Sequence, residues 1–196
     1  MENTDKNLID AHLQGDSEAF GELVRRYGDS LLGYLTKICR NREQAQDLFQ
    51  ETFRKVHEKA HTLKTGNFKG WLYTIATRVA MDSLRKSSRV RTVSLNSTAG
   101  CDGENCPELG AVMVDEETQD PSAEAVRTEQ KEQVRRALAS LPDRQRVTVV
   151  LAYYQGMSYP EVAAALNCSV GTVKTQMFRA LRTLAQRLPD VSGVTK

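Results

Sequence analysis

The stretch "SVGTVKTQMFRALRTL", Ser169 to Leu184, gathers side chains suited to touching nucleic acid. Thr172, Thr175 and Gln176 offer hydroxyls and an amide, which exchange hydrogen bonds with base edges. Lys174, Arg179 and Arg182 offer cations for guanine edges or phosphates, and no acid stands between Glu161 and Asp190 to repel a phosphate. On a helical wheel of about 100° per residue, Val170, Val173, Met177, Leu181, Leu184 and Leu188 share one sector and predict the buried face. Thr172, Thr175, Arg179, Arg182 and Gln186 fall opposite it, with Gln176 close by and Lys174 and Phe178 on a shoulder. This is the chemistry of recognition, with hydroxyls and an amide at the helix start and arginines further along.

The neighbouring residues say how such a helix is held. "SYPE", Ser158 to Glu161, has capping-box spacing with a proline in the first turn. Val162, Ala163 and Leu166 give that helix a buried face, Asn167 and Cys168 make a tight turn, and Ser169 caps the next helix. A short helix, a turn and a second capped helix is helix-turn-helix grammar. Upstream, Asp120-Pro121 opens a helix faced by Val126, Val134, Ala137, Leu138 and Leu141. Pro142 breaks it, Val147, Val150, Leu151 and Tyr154 form a further face, and Gly156 suits a helix C-terminus. The spacing predicts four helices over residues 121–190.

The first 91 residues read as helix throughout. Phe20, Leu23, Val24, Tyr27, Leu31, Leu35 and Ile38 recur at helical spacing behind an N-cap at Asp16. "NREQ", Asn41 to Gln44, has capping-box spacing and opens a stripe of Ala45, Leu48, Phe49, Thr52, Phe53 and Val56. A loop leads to Phe68, Trp71, Leu72, Ile75 and Val79, with Trp71 expected in the core. No alternating pattern marks a strand. From Thr92 to Asp120 the periodicity stops, and glycine, proline, asparagine and acids give linker composition.

Charge follows the same divisions. The chain of 196 residues carries a net +2. Residues 1–91 hold 16 cationic against 12 acidic side chains, residues 92–124 none against 8, and residues 125–196 hold 11 against 5. Two basic modules therefore flank an acidic connector, as expected of modules that face polyanions. No apolar run approaches the roughly 20 residues of a membrane span, and the polar start "MENTDKNLIDAHLQGD" lacks signal-peptide character. Four scattered cysteines, Cys39, Cys101, Cys106 and Cys168, make no disulfide framework, so a reducing cytoplasmic setting is expected.

"GDSEAFGELVRRYGDSLLGYL", "AQDLFQETFRKV" and "FKGWLYTIATRVAMDSLRK" resemble region 2 of the extracytoplasmic-function (ECF) sigma factors of RNA polymerase. "ALASLPDRQRVTVVLAYYQGMSYPEVAAALNCSVGTVKTQMFRALRTL" resembles their region 4, and the segments stand in family order. The resemblance implies an all-α fold: a region 2 helical bundle over residues 1–91, an irregular acidic linker over 92–120, and a region 4 helix-turn-helix domain over 121–190. It implies a non-enzymatic factor without cofactor or metal, whose partners are core RNA polymerase, promoter DNA and an anti-sigma factor.

Roles follow residue by residue from the same resemblance. Asp47, Leu48, Gln50, Glu51, Phe53 and Arg54 match the segment that docks on core polymerase. His61, Lys64, Asn67, Lys69, Tyr73, Thr77, Arg78, Arg85, Lys86 and Arg89 match the part that meets the −10 element during strand opening. Thr172, Lys174, Thr175, Gln176, Phe178, Arg179 and Arg182 are the expected −35 contacts. Gln46 and Arg78 depart from the family's usual glutamate and asparagine.

Two rival readings stand beside this one. The helix-turn-helix also resembles the reader domain of response regulators, which leaves a free-standing regulator open, although residues 1–91 show no strand–helix alternation. A metal or redox enzyme built on the cysteines and on His12, His57 and His61 lacks support. Cys101 and Cys106 have no zinc spacing, and no nucleophile–base motif, glycine-rich phosphate loop or paired acids occur. Oxidation joining Cys101 to Cys106 is a remaining expectation for the linker.

Overall fold

A computed structural model describes residues 4–63, 66–93 and 121–188, and no strand occurs among them. Helix α1 (Asp5–Leu13) starts at Thr4, whose hydroxyl accepts from the Asn7 amide at 3.3 Å, and it buries Leu8 and Ile9. Asp5 receives Arg26 at 2.6 Å and the hydroxyl of Tyr27, which ties α1 to α2 (Ser17–Cys39). Asp16 caps α2 as its position predicts, accepting from Glu18 and Ala19 amides at 2.9 and 3.3 Å. The chain turns at Arg40, a non-glycine residue in the left-handed region.

Asn41 caps α3 (Arg42–Lys59) through the Gln44 amide at 2.9 Å. Only half of the expected capping box forms, because the Gln44 side-chain amide reaches instead to Ser83 Oγ, 2.9 Å away on α4 (Phe68–Val93). The core of these helices is the expected stripe: Leu23, Leu31, Leu35, Ile38, Ala45, Val56, Phe68 and Leu72 are buried. Trp71 is half-buried against that core. Helix α4 continues two residues past the expected boundary at 91, and residues 94–120, with Cys101 and Cys106, lie outside the described residues.

The second module has four helices: α5 (Pro121–Ala139), α6 (Asp143–Val149), α7 (Tyr159–Leu166) and α8 (Val170–Arg187). A π turn, Val150–Tyr154, extends α6, with the Gln155 amide reaching back five residues to the Val150 carbonyl at 3.2 Å. Ser158 donates from both its amide and its hydroxyl to Glu161 at 2.8 and 2.7 Å, and Asn167 takes the left-handed turn before α8.

The two modules are not strung apart. Helix α7 lies along α4, α2 touches α5 and α6, and one apolar cluster takes buried side chains from both modules, beside a smaller one of Leu138, Leu141, Val149, Met177 and Ala180 within the second module. Val147, Val150, Leu151, Met157, Val162 and Val173 belong to the same apolar core as Leu35 and Leu72.

Candidate polymerase and nucleic-acid interfaces

Helix α8 presents its two faces largely as the wheel predicts. Val173, Met177 and Ala180 are buried against the rest of the module. Lys174, Thr175, Phe178, Arg179 and Arg182 are exposed, Phe178 at 69%. Ser169 caps the helix by accepting from the Thr172 amide at 3.1 Å, and its hydroxyl also pairs with Thr172 Oγ1 at 2.9 Å. Thr172 is thus half-buried in the cap. Thr175 gives its proton to the Gly171 carbonyl at 3.0 Å, so outward it offers an accepting oxygen and a methyl group. Gln176 is half-buried beside it.

Two expectations for this helix fail, since Val170, at the helix start, is exposed as well as Leu181. Leu181 does not join the core but stands 54% exposed, lining an open apolar groove of about 540 Å³ with Leu138, Tyr153, Met157 and Leu188. Ala180 takes the buried place instead, in a cluster with Leu138, Leu141, Val149 and Met177.

On α3, Asp47, Gln50 and Arg54 are exposed and Glu51 is half-buried, all off the apolar stripe. Arg54 pairs with Glu51 at 2.8 Å and with Glu58, and Lys55 approaches Glu51 at 3.4 Å. The Arg54 guanidinium, first of all, holds the Glu51 carboxyl well below the usual carboxylate range. Leu48 and Phe53 are corrections: both are buried, Phe53 between Phe20 and Phe49 with ring centroids at 6.1 and 4.9 Å. They pack behind the polar face of α3 rather than standing in solvent.

The residues expected at the −10 element divide three ways. His61, Arg78, Arg85 and Lys86 are exposed, Arg85 beside Asp82 at 3.2 Å. Lys64 and the side chain of Arg89 lie outside the described residues. Tyr73 and Thr77 are corrections, for both are buried in the junction of α4 with α2. Thr77 gives its proton to the Tyr73 carbonyl at 2.6 Å and accepts from Tyr34, while the Tyr73 hydroxyl lies 2.8 Å from Ser30 Oγ. A buried hydroxyl needs a partner inside the protein, and α2 supplies both.

Asn67 and Lys69 reach the other module. Asn67 Oδ1 caps α4 by accepting from the Gly70 amide at 2.9 Å, and its Nδ2 donates to Glu161 Oε1 at 2.8 Å. A Cβ at Gly70 would stand 2.8 Å from Asn67 Nδ2, so a larger residue there displaces the capping side chain. Lys69 Nζ donates to the Gln155 carbonyl at 2.8 Å. Arg146, 1% exposed, donates to the carbonyls of Ile38 at 2.8 Å and Leu141 at 3.0 Å and to Asp143 at 2.6 Å. Burial, then the charge of Arg40, draws its pKa below the ordinary guanidinium value. These contacts between modules are not legible in the sequence: "LPDRQR" looks like a solvated break, and nothing local marks Arg146 as buried.

Two family models match: Sigma-70 region 2 over residues 23–90 and Sigma-70 region 4 over residues 131–184. The ECF RNA polymerase sigma-E factor of Haemophilus influenzae is 31% identical over 186 residues, covering 94% of this chain and 95% of that protein. ECF RNA polymerase sigma factor SigE of Mycolicibacterium smegmatis is 31% identical over 93% of this chain, which spans 66% of that longer protein. In solved structures, sigma factor RpoE bound to the anti-sigma factor NepR, from Bartonella quintana, has a similar fold (TM-score 0.64, 24% identity, 87% of this chain and 97% of that one). CnrH in complex with the cytosolic domain of CnrY is likewise similar (TM-score 0.63, 24% identity, 95% and 97%). The chain belongs to the ECF sigma factors of RNA polymerase. It is a transcription initiation factor that binds core polymerase and directs it to promoters, and the free-standing regulator finds no support.

Proposed function

We propose a division of labour within this initiation role. The exposed face of α3, carrying Asp47, Gln50, Glu51 and Arg54, docks on core polymerase. The exposed face of α8, Lys174, Thr175, Gln176, Phe178, Arg179 and Arg182, reads the −35 element in the major groove. His61, Asn67, Lys69, Arg78, Arg85 and Lys86 meet the opened −10 strand, where a loop pocket offsets the few kcal/mol that extruding a base costs. The first module extends over residues 1–91 and the second over 121–190, joined by the acidic linker 92–120.

The observation that carries this reading is the face of α8. Lys174, Thr175, Arg179 and Arg182 stand out into solvent on a helix whose opposite side is locked in the core. No acid occurs from Val162 through Leu188 to oppose phosphate. The protein works in the cytoplasm, performs no chemistry of its own, and is held inactive by an anti-sigma factor, in line with the complexes solved for similar folds.

Titration of labelled protein with core RNA polymerase, in moderate salt and without DNA, tests the role. Tight saturable binding that another sigma factor displaces is expected. Absence of core binding, with sequence-specific binding to duplex DNA alone, would overturn it.

A further inference from the structure

The apolar groove beside α8 has two helical walls within the second module. Val134 and Leu138 of α5 line one, Leu181, Leu184 and Leu188 of α8 line the other, and Tyr153 lines it while 81% exposed. The groove is not the −35 face: at about 100° per residue, Arg179 points about 160° around α8 from Leu181. An exposed apolar patch of this kind marks a surface made to be covered. Cations flank it on both helices. Lys131 precedes Val134 by one turn of α5, Arg187 lies between Leu184 and Leu188 in α8, and both are exposed. The ion pairs of this module go to Arg135, Arg136 and Arg146, and neither Lys131 nor Arg187 meets an acid among the described residues. An occupant with an apolar middle and acidic ends would satisfy the walls and the flanking cations together.

The sequence holds such a segment just before α5. "ELGAVMVDEE", Glu108 to Glu117, sets the apolar run Leu109 to Val114 between Glu108 and the acids Asp115, Glu116 and Glu117. Leu109, Val112 and Met113 fall at i, i+3 and i+4, the spacing at which a short helix lays one apolar stripe into a groove. No cation occurs between Arg91 and Arg127, so nothing within the linker competes with Lys131 and Arg187 for these acids.

The chain is long enough to return. Val114 is seven residues from Pro121, about 24 Å of extended chain. Pro121 is 13 residues from Val134, about 20 Å along α5. A run that turns back beside α5 therefore arrives at the groove. We propose that the linker run Leu109 to Val114 docks in the groove between α5 and α8, with its flanking acids against Lys131 and Arg187. The linker is then anchored to the second module at the groove as well as at Pro121, and any partner that uses the groove must displace the run. This assignment is independent of the polymerase and DNA faces proposed above.

The test uses the full chain with the photo-crosslinker p-benzoylphenylalanine in place of Tyr153, whose exposure lets it be replaced without disturbing the core. After irradiation at low protein concentration, proteolysis and mass spectrometry identify the residues captured. The same chain with Leu109→Asp and Met113→Asp removes the apolar stripe of the run, and far-UV circular dichroism establishes that it remains helical. Fluorescence of an apolar dye, anilinonaphthalene sulfonate, reads how much of the groove is bare.

A crosslink from position 153 to residues 109–114 of the same chain is the expected result, lost in the double variant, whose dye fluorescence rises several-fold. Lys131→Glu with Arg187→Glu should lower the yield of the same crosslink. A crosslink to residues 189–196, or a crosslinked dimer, would give the groove to the end of the chain or to a second copy and overturn the proposal. A crosslink to 109–114 that survives both aspartates would mean that the linker only passes nearby, which overturns it as well. No crosslink in the parent, with dye fluorescence equal to that of the variant, would show a bare groove and overturn it outright.

Discussion

Tyr34 and Thr77 meet inside the protein, Oη to Oγ1 at 2.7 Å, with both side chains buried between α2 and α4. Thr77 commits its own proton to the Tyr73 carbonyl at 2.6 Å, so Tyr34 is the donor in the pair. Thr77 therefore serves the fold, and its substitution is expected to change stability rather than DNA preference. Thr77→Val keeps the shape but leaves the Tyr34 hydroxyl without its acceptor, at a cost of about 1–3 kcal/mol. Urea unfolding should register that loss, while discrimination among −10 sequences by the folded fraction stays unchanged. A shift in −10 preference would return Thr77 to the DNA surface.

Arg179 tests the other reader. It stands exposed on the outward face of α8, and a bidentate pair with a guanine edge would account for its position. Arg179→Ala should weaken use of a cognate promoter by about 1–3 kcal/mol. Transcription from templates with an intact and a scrambled −35 element separates the alternatives. Equal losses on both mean that Arg179 touches phosphate only.

The helices and their caps are legible in the sequence because they depend on local chemistry. Asp16, Asn41, Ser158 and Ser169 all stand where their side chains suggest, and the periodic stripes of α2 and α3 are buried. Helix α1 is not legible there, since Leu8 and Ile9 are a brief apolar signal among polar neighbours, buried by packing that is chiefly on α2. The resemblance assigns Tyr73 and Thr77 to the −10 element, and their burial is illegible for a related reason: α4 is buried on more than one side, so polar side chains off the stripe still face protein. Leu48 and Phe53 show the reverse, where a motif assigned to a partner includes the residues that hold the motif in place. Contacts between modules leave no local trace at all. Asn67 and Glu161 are 94 positions apart, and nothing in either neighbourhood names the other.

The α3 face gives a further expectation. Asp47 and Gln50 are exposed and lie clear of the stripe that Leu48 and Phe53 bury. Asp47→Ala with Gln50→Ala should weaken binding to core polymerase by about 1–2 kcal/mol, a factor of about 5–30. The thermal midpoint should hold, because neither side chain packs in the core. Unchanged affinity for core in a titration without DNA would remove the docking assignment.

His12 carries a pH dependence whose direction is set by its surroundings. Its ring lies 4.7 Å from Phe20 and 4.9 Å from His57, between α1 and α3. Burial first, and then the neighbouring His57, lower its pKa from the ordinary 6.5, against a smaller opposing pull from Asp16. The unfolded chain therefore binds more protons than the folded one once the pH drops below 6.5. The contribution of neutral His12 is present in full above that value and is lost as the pH falls through the lowered folded value. Urea midpoints should decline over that interval in the parent, and less steeply in His12→Gln, which has no titrating group at this position. Parallel declines would mean that the acid sensitivity of the first module arises elsewhere than in the contact of α1 with α3.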